Sequence, residues 1–161
     1  MMSLCCKVLE VLKGKTLATA ESCTGGGIGA ALTAVPGSSS VYKGGVISYV
    51  NSIKAGLLGV DSDTLERCGA VSAPVAEAMA IGARQLLAAD AAVSVTGLAG
   101  PDGDEYGNEI GTVYIGYSDC NNASVREFHF SGDREAVRNA AIRAALMIVL
   151  EMNGDIDHAK N

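Results

Sequence analysis

The chain has 161 residues, 48% of them hydrophobic, which suits one domain with a sizeable core. The formal net charge is -6 and the sequence pI is near 4.8. That balance opposes an extended nucleic-acid-binding face, because neutralising phosphates takes clustered Lys and Arg, and the twelve basic residues are scattered. A local basic pocket for a single phosphate stays compatible with it.

Helical spacing of Leu4, Val8, Val11 and Leu12 predicts an amphipathic helix over residues 3–13, ended by Gly14. Lys7, Glu10 and Lys13 interrupt these apolar residues, so no signal-peptide core forms, and no apolar run approaches the roughly 18 residues of a membrane span. The simple reading is a cytoplasmic protein with no membrane partner. Residues 16–21 read as a short buried strand and 24–34 as a Gly- and Ala-rich helix. Pro36 to Ser40 is a loop by composition. Val46 to Val50 reads as a strand, with Asn51 or Ser52 capping the next helix. Asp61 or Ser62 caps a short helix toward Arg67. Ser72 caps another that runs through Ala88, with Pro74 near its start and Glu77 complementing its dipole. Ala91 to Thr96 is a buried strand, and 97–109 is a Gly- and Asp-rich loop. Residues 110–117 and 124–130 form an antiparallel pair. Asp133 caps a closing helix to about Met152, and 153–161 is a polar, frayed tail. Alternating helices and strands imply one α/β domain over 1–161, a three-layer α/β/α sandwich with a mixed, mostly parallel sheet. The five cysteines have no C-x-x-C spacing and only two histidines accompany them. They read as reduced and mostly buried, with no zinc site.

The most informative stretch is Ala20-Glu21-Ser22-Cys23-Thr24-Gly25-Gly26-Gly27. A strand stops at a serine, glycines follow, and a helix begins. Unpaired N–H groups at the helix start would suit an anion or a developing oxyanion beside the Ser22 hydroxyl. Ser22 alone could equally be a helix cap, or the turn a phosphate cradle. Ligands of open α/β sheets sit beyond the carboxyl ends of parallel strands, so Ser22, Tyr49 and Thr96 would meet at one edge. Lys54, in the first turns of the helix after Tyr49, would reach over it. A lysine whose pKa is lowered by desolvation or a nearby cation can serve as base for a serine, and a tyrosine can relay or orient. Taken singly, Tyr49 is a packed strand residue and Lys54 a solvated charge. Gly25 to Ala30 also matches a G-x-G-x-x-A dinucleotide fingerprint, but the acidic residue expected at the end of the next strand is missing. Gly97 to Asp104 is a second backbone-rich loop at the same edge. Asp102, Asp104 and Glu105 there read either as cation ligands or as a solvated loop, though their spacing fits no calcium loop. Arg134 and Arg138 could bring a cation to a phosphate, or be exposed helix residues.

Several segments follow in an order that resembles a known family. They are Ala20 to Gly26, Pro36-Gly37-Ser38-Ser39, Gly44 to Tyr49, Lys54 to Val60, Gly69-Ala70-Val71-Ser72, Val95 to Pro101, Gly111 to Tyr114 and Phe130 to Arg134. Together they resemble the CinA C-terminal domain family, the nicotinamide-nucleotide amidases. The resemblance covers nearly the whole chain. It implies hydrolysis of nicotinamide mononucleotide to nicotinate mononucleotide and ammonia, by an α/β/α domain that is often dimeric and needs no metal or other cofactor. It places Ser22, Tyr49 and Lys54 on the family's serine, tyrosine and lysine positions. The expected oxyanion donors are the backbone N–H groups around Thr24, Gly25 and Gly26. Thr96, Gly97 and Arg138 are candidates for the ribose phosphate. A nucleotide-binding module without turnover is the alternative. Family members often carry a further N-terminal domain resembling molybdopterin-binding proteins, whose activity is not carried over. The run Asp102 to Glu105 is acidic where many relatives are glycine-rich.

Overall fold

The computed structural model describes residues 1–154. Six helices surround one five-stranded sheet. In chain order they are α1 (Met2–Val11), β1 (Leu17–Glu21), α2 (Gly27–Thr33), β2 (Tyr42–Ile47), α3 (Asn51–Leu58), α4 (Ser62–Cys68), α5 (Ala73–Leu86), β3 (Ala91–Gly97), β4 (Thr112–Ser118), β5 (Ala123–His129) and α6 (Arg134–Asn153). The strand order is β2-β1-β3-β4-β5. β1 lies between β2 and β3 and is parallel to both, while β4 and β5 are added antiparallel. The mixed sheet and its helical layers are those the sequence predicts. Two pairings are parallel and two antiparallel, and four of the five strands, all but β4, run in the same direction.

The two faces of the sheet carry separate cores. Leu17, Val93, Val95, Val113, Ile115 and Tyr117 point to the face covered by α1, α2 and α6. Ala18, Ala20 and Ala92, alternating with them along the strands, point to the face covered by α3, α4 and α5. The central strands are therefore buried on both sides, which is why β1 and β3 read as continuous apolar runs. Each fully buried Leu, Val or Ile contributes about 1.5–3 kcal/mol of transfer free energy. The alanine-rich second face lets α5 lie unusually close. A Cβ added at Gly116 would stand 2.4 Å from the Ala76 carbonyl of α5, and the Ser94 hydroxyl donates to that same carbonyl.

The structure departs from the predicted elements in several places. β2 starts four residues earlier and ends at Ile47, so Ser48, Tyr49 and Val50 lie beyond the strand. Its Gly44-Gly45 pair hides the strand signal, yet a Cβ at Gly45 would sit 2.1 Å from Thr19 Oγ1 on β1. α2 begins at Gly27 rather than residue 24, because Gly25 and Gly26 take φ of +60° and +93°. Neither Asn51 nor Ser52 caps α3; the cap position is Val50, with no side-chain bond. Ser72 occupies the cap of α5 without bonding into it, its hydroxyl donating instead to the Gly69 carbonyl. Asp61 and Asp133 do cap α4 and α6, accepting from Thr64 N and Ala136 N. All five cysteines are free, but Cys5 and Cys23 alone are buried, so the expectation of mostly buried thiols fails. The predicted frayed tail, apart from 153 and 154, lies outside the described residues. Among those residues no helix is long and apolar enough to cross a membrane.

The close approach of α5 makes Gly116→Ala destabilising by about 1–3 kcal/mol through overpacking. Gly56→Ala, on α3 with nothing within 4 Å of the added Cβ, is expected to stabilise by about 0.5–1 kcal/mol. Urea denaturation midpoints of the two variants check both signs.

Candidate functional site

The site grows from the carboxyl end of β1. Glu21 is 1% exposed, and its carboxylate turns under the start of α2. Oε2 accepts from Thr24 Oγ1 at 2.7 Å, Gly26 N at 3.0 Å and Ile28 N at 3.1 Å, and Oε1 accepts from Gly29 N at 2.9 Å. The helix start is therefore filled by the chain's own anion. This corrects the expectation of an open anion cradle there. It also corrects two of the three expected oxyanion donors: Gly26 N–H belongs to Glu21, and Gly25 N–H donates to the Ser22 carbonyl at 3.0 Å. The Thr24 side chain is likewise spent on Glu21. Among the described residues, the turn N–H groups left without a partner are those of Cys23 and Thr24, directly after the serine.

Ser22 is pinned by its own N–H, which donates to the Val95 carbonyl of β3 at 2.9 Å, while Ser48 N–H donates to the Glu21 carbonyl at 2.8 Å. The three parallel strand ends are thereby locked together around the hydroxyl. Lys54 comes up from α3, 1% exposed. Its Nζ donates to the Ser48 carbonyl at 2.6 Å and to Ser22 Oγ at 3.1 Å. Burial pulls the Lys54 pKa down to about 8, opposed weakly by the Cys23 thiol. Burial pushes that thiol up to about 11, so it stays protonated and inert near neutral pH. When Lys54 loses its proton, the same 3.1 Å contact can reverse, with the amine accepting from the serine hydroxyl.

A cavity of about 230 Å³ opens over this pair, and Ser22, Cys23, Tyr49, Lys54, Thr96 and Gly97 all line it. The structure thus brings together five of the expected site residues. Tyr49 stands at the rim, 59% exposed. Its hydroxyl accepts from Arg134 Nη2 at 3.0 Å rather than bonding to Ser22 or Lys54. Thr96 is buried with its hydroxyl donating to the Ala70 carbonyl at 2.8 Å, so it shapes the wall. Arg138 does not line the cavity. It braces the turn from α6, with Nε donating to the Cys23 carbonyl at 3.0 Å and Nη2 to the Thr24 carbonyl at 3.1 Å. The arginine in the cavity is Arg134, one turn earlier, which also donates to the Gly100 carbonyl at 2.6 Å. Its position just inside the Asp133-capped helix start was legible, but nothing in the spacing separates it from Arg138.

The acidic loop is pinned. Tyr106 Oη donates to the Glu66 carbonyl at 2.8 Å, Asn108 Nδ2 donates to the Val71 carbonyl at 3.0 Å, and Asp104 accepts from the Tyr106 and Asn108 N–H groups. Asp104 is thus occupied in shaping the loop, while Asp102 reaches the cavity. Among the described residues no group of three His, Cys, Asp or Glu side chains is placed to hold a metal ion.

Fold and site together define an α/β/α domain with a buried serine–lysine pair where its parallel strands end. The CinA C-terminal domain profile matches residues 3–153, and the chain belongs to that family. A CinA-like protein of Thermosynechococcus vestitus is 55% identical over 121 residues, which is 74% of this chain and 29% of that protein. A CinA-like protein of Geobacter metallireducens is 48% identical over 133 residues, 83% of this chain and 32% of that protein. The chain thus spans about a third of the length of these curated relatives. Among solved structures, the competence/damage inducible protein CihA from Agrobacterium tumefaciens is 37% identical, with a TM-score of 0.91 over 94% of each chain. The CinA superfamily protein KP700603 from Klebsiella pneumoniae 700603 is 36% identical, with a TM-score of 0.90 over 93% of this chain and 95% of that one.

Burial of Lys54 has a signed consequence for stability. Between about pH 8 and the ordinary lysine value of 10.5 the unfolded chain holds a proton on Lys54 that the folded chain has released. Stability contributed by this group therefore rises with pH through that window. Comparing urea midpoints at about pH 7.5 and about pH 9.5, the wild-type protein should gain more, or lose less, than Lys54→Met. Equal changes in the two proteins mean that Lys54 titrates normally.

Proposed function

We propose that this chain is an amidohydrolase that deamidates nicotinamide mononucleotide to nicotinate mononucleotide and ammonia. The observation that carries the reading is the contact of Lys54 Nζ with Ser22 Oγ at 3.1 Å, made by a lysine that is almost fully buried. A serine is a weak nucleophile until a base takes its proton, and a desolvated lysine is such a base. The choice of substrate rests on the family resemblance of the motifs, supported by an arginine in the same cavity that suits a phosphate.

In this reading the neutral Lys54 amine takes the hydroxyl proton as Ser22 Oγ attacks the carboxamide carbon. The oxyanion develops toward the Cys23 N–H, which lines the cavity beside Ser22, a contribution of about 3–4 kcal/mol per donor in such sites. The Lys54 ammonium then protonates the departing nitrogen, ammonia leaves, and an ester remains on Ser22. Water attacks that ester, Lys54 takes its proton and returns it to Ser22 Oγ, and the carboxylate product is released. Lys54 is thus the base in both halves. Tyr49 holds the Arg134 guanidinium over the cavity rather than relaying the proton, and Arg134 pairs with the substrate phosphate.

Purified protein given nicotinamide mononucleotide should release ammonia, with the rate climbing with pH through about 8 as Lys54 deprotonates. Ser22→Ala and Lys54→Met should each cut release by roughly a thousandfold or more while keeping the native circular-dichroism spectrum. Near-wild-type release by Ser22→Ala overturns the nucleophile. Arg134→Ala should raise KM for the mononucleotide about tenfold or more, but leave KM for nicotinamide riboside unchanged. An equal effect on both removes the phosphate role.

A further inference from the structure

The cavity over Ser22 holds charges of both signs that do not neutralise each other. Among the described residues its lining contains two basic side chains, Lys54 and Arg134, and one acidic one, Asp102. Arg134 reaches the segment that carries Asp102, yet its Nη1 donates to the Gly100 carbonyl at 2.6 Å and its Nη2 to Tyr49 Oη at 3.0 Å. Among the described residues the ion pairs are Arg126–Glu151 and His129–Glu127, so the Asp102 carboxylate belongs to none. Its neighbour Asp104 differs, since that carboxylate accepts from the Tyr106 and Asn108 N–H groups and from Asn108 Nδ2.

The Asp102 backbone is nevertheless held on both sides. Two residues earlier, Gly100 is tied to Arg134. Two residues later, Asp104 is tied to Asn108, whose Nδ2 also donates to the carbonyl of Val71 in the cavity wall. Asp102 thus stands exposed at the edge of the cavity, between two anchors. Ser22 and Lys54, both buried, form the inner end. Ala70, Val71, Leu98 and Ala99 supply an apolar wall between.

This order of surfaces constrains any ligand whose carboxamide meets Ser22. A flat ring on that carboxamide lies against the apolar wall, and what the ring carries points toward the open edge. A positively charged ring would be repelled by the two basic side chains, and a carboxylate beside it offsets the repulsion. We propose that Asp102 is a specificity-determining residue that selects an amide on a cationic aromatic ring, an N-substituted pyridinium, over its neutral counterpart. Arg134 takes the anionic end of the same ligand, so the two side chains together read a zwitterion. The selection is chemically useful, because a cationic ring withdraws electrons from its carboxamide and leaves the carbon easier for Ser22 to attack. The proposal rests on the amidase reading above and assigns a role to the acidic loop within it.

The test is a cycle between the charge of residue 102 and the charge of the ligand. Binding is measured by calorimetry to Ser22→Ala, with and without Asp102→Asn. The ligands are nicotinamide mononucleotide and a neutral isostere, the same ribose phosphate joined to a benzamide ring through a carbon–carbon bond. Asp102→Asn should weaken the mononucleotide about three- to fivefold, the scale of a solvent-accessible charge contact, and leave the isostere within about 1.5-fold. The difference should shrink as salt rises from about 0.05 M to about 0.5 M. In the protein that keeps Ser22, Asp102→Asn should raise KM by a similar factor for the mononucleotide and for nicotinamide riboside, since both carry the pyridinium. Equal weakening of mononucleotide and isostere means contact with the ribose phosphate and overturns the proposal. Unchanged binding of both overturns it too, and the amidase reading then stands or falls separately on ammonia release by the wild type. Failure of Ser22→Ala to bind either ligand brings down the substrate assignment and this proposal with it.

Discussion

One carboxylate organises the working end of this molecule. Glu21 finishes the central strand and, instead of reaching solvent, turns beneath α2 and accepts from Thr24 Oγ1 and three backbone N–H groups. A buried carboxylate is costly unless its lone pairs are met, and these four donors meet them. The same bonds satisfy donors that the start of a helix would otherwise leave open. The glycines at 25 and 26 bend the chain back sharply enough for Glu21 to reach them. Ser22 is left at the apex, with its hydroxyl directed at Lys54.

From that constraint the rest of the site follows in layers. β1 is central and flanked by parallel strands, so its neighbours end at the same level and bond across to it, Ser48 N–H to Glu21 and Ser22 N–H to Val95. The Ser48 carbonyl then receives Lys54, and the burial that the small-residue face provides makes the lysine a poor cation and a better base. α6 closes the arrangement from the other face, with Arg138 on the turn's carbonyls and Arg134 over the cavity. Two arginines one helical turn apart thus contact the site on two sides, one against backbone and one against open space.

Much of this was legible in the residues. Alternating helix and strand signals gave the layers, and the apolar runs gave β1 and β3 because both are buried on two faces. The strand–serine–glycine turn pointed to Ser22, and the position of Lys54 after the next strand pointed to the pair. β2 was misplaced because its glycines, required where Thr19 comes close, erase the strand signal that propensity relies on. The cap of α3 falls on Val50, and Ser72 holds the cap position of α5 without a side-chain bond, because a serine or asparagine near a helix start signals a cap whether or not its side chain turns inward.

By itself the sequence determined which elements form, that Ser22 ends a strand before a glycine turn, and that serine, tyrosine and lysine come to one sheet edge. Those are local facts, carried by periodicity, breakers and the parallel-strand rule. The tertiary structure alone decided which N–H groups remain free. Glu21 takes the ones the glycine turn was expected to offer, and leaves Cys23 and Thr24. It alone decided that Arg134 enters the cavity while Arg138 grips the backbone, and that Lys54 is buried rather than solvated. Hydrogen-bond allocation and desolvation depend on what packs from distant parts of the chain, and no spacing rule within one segment encodes that.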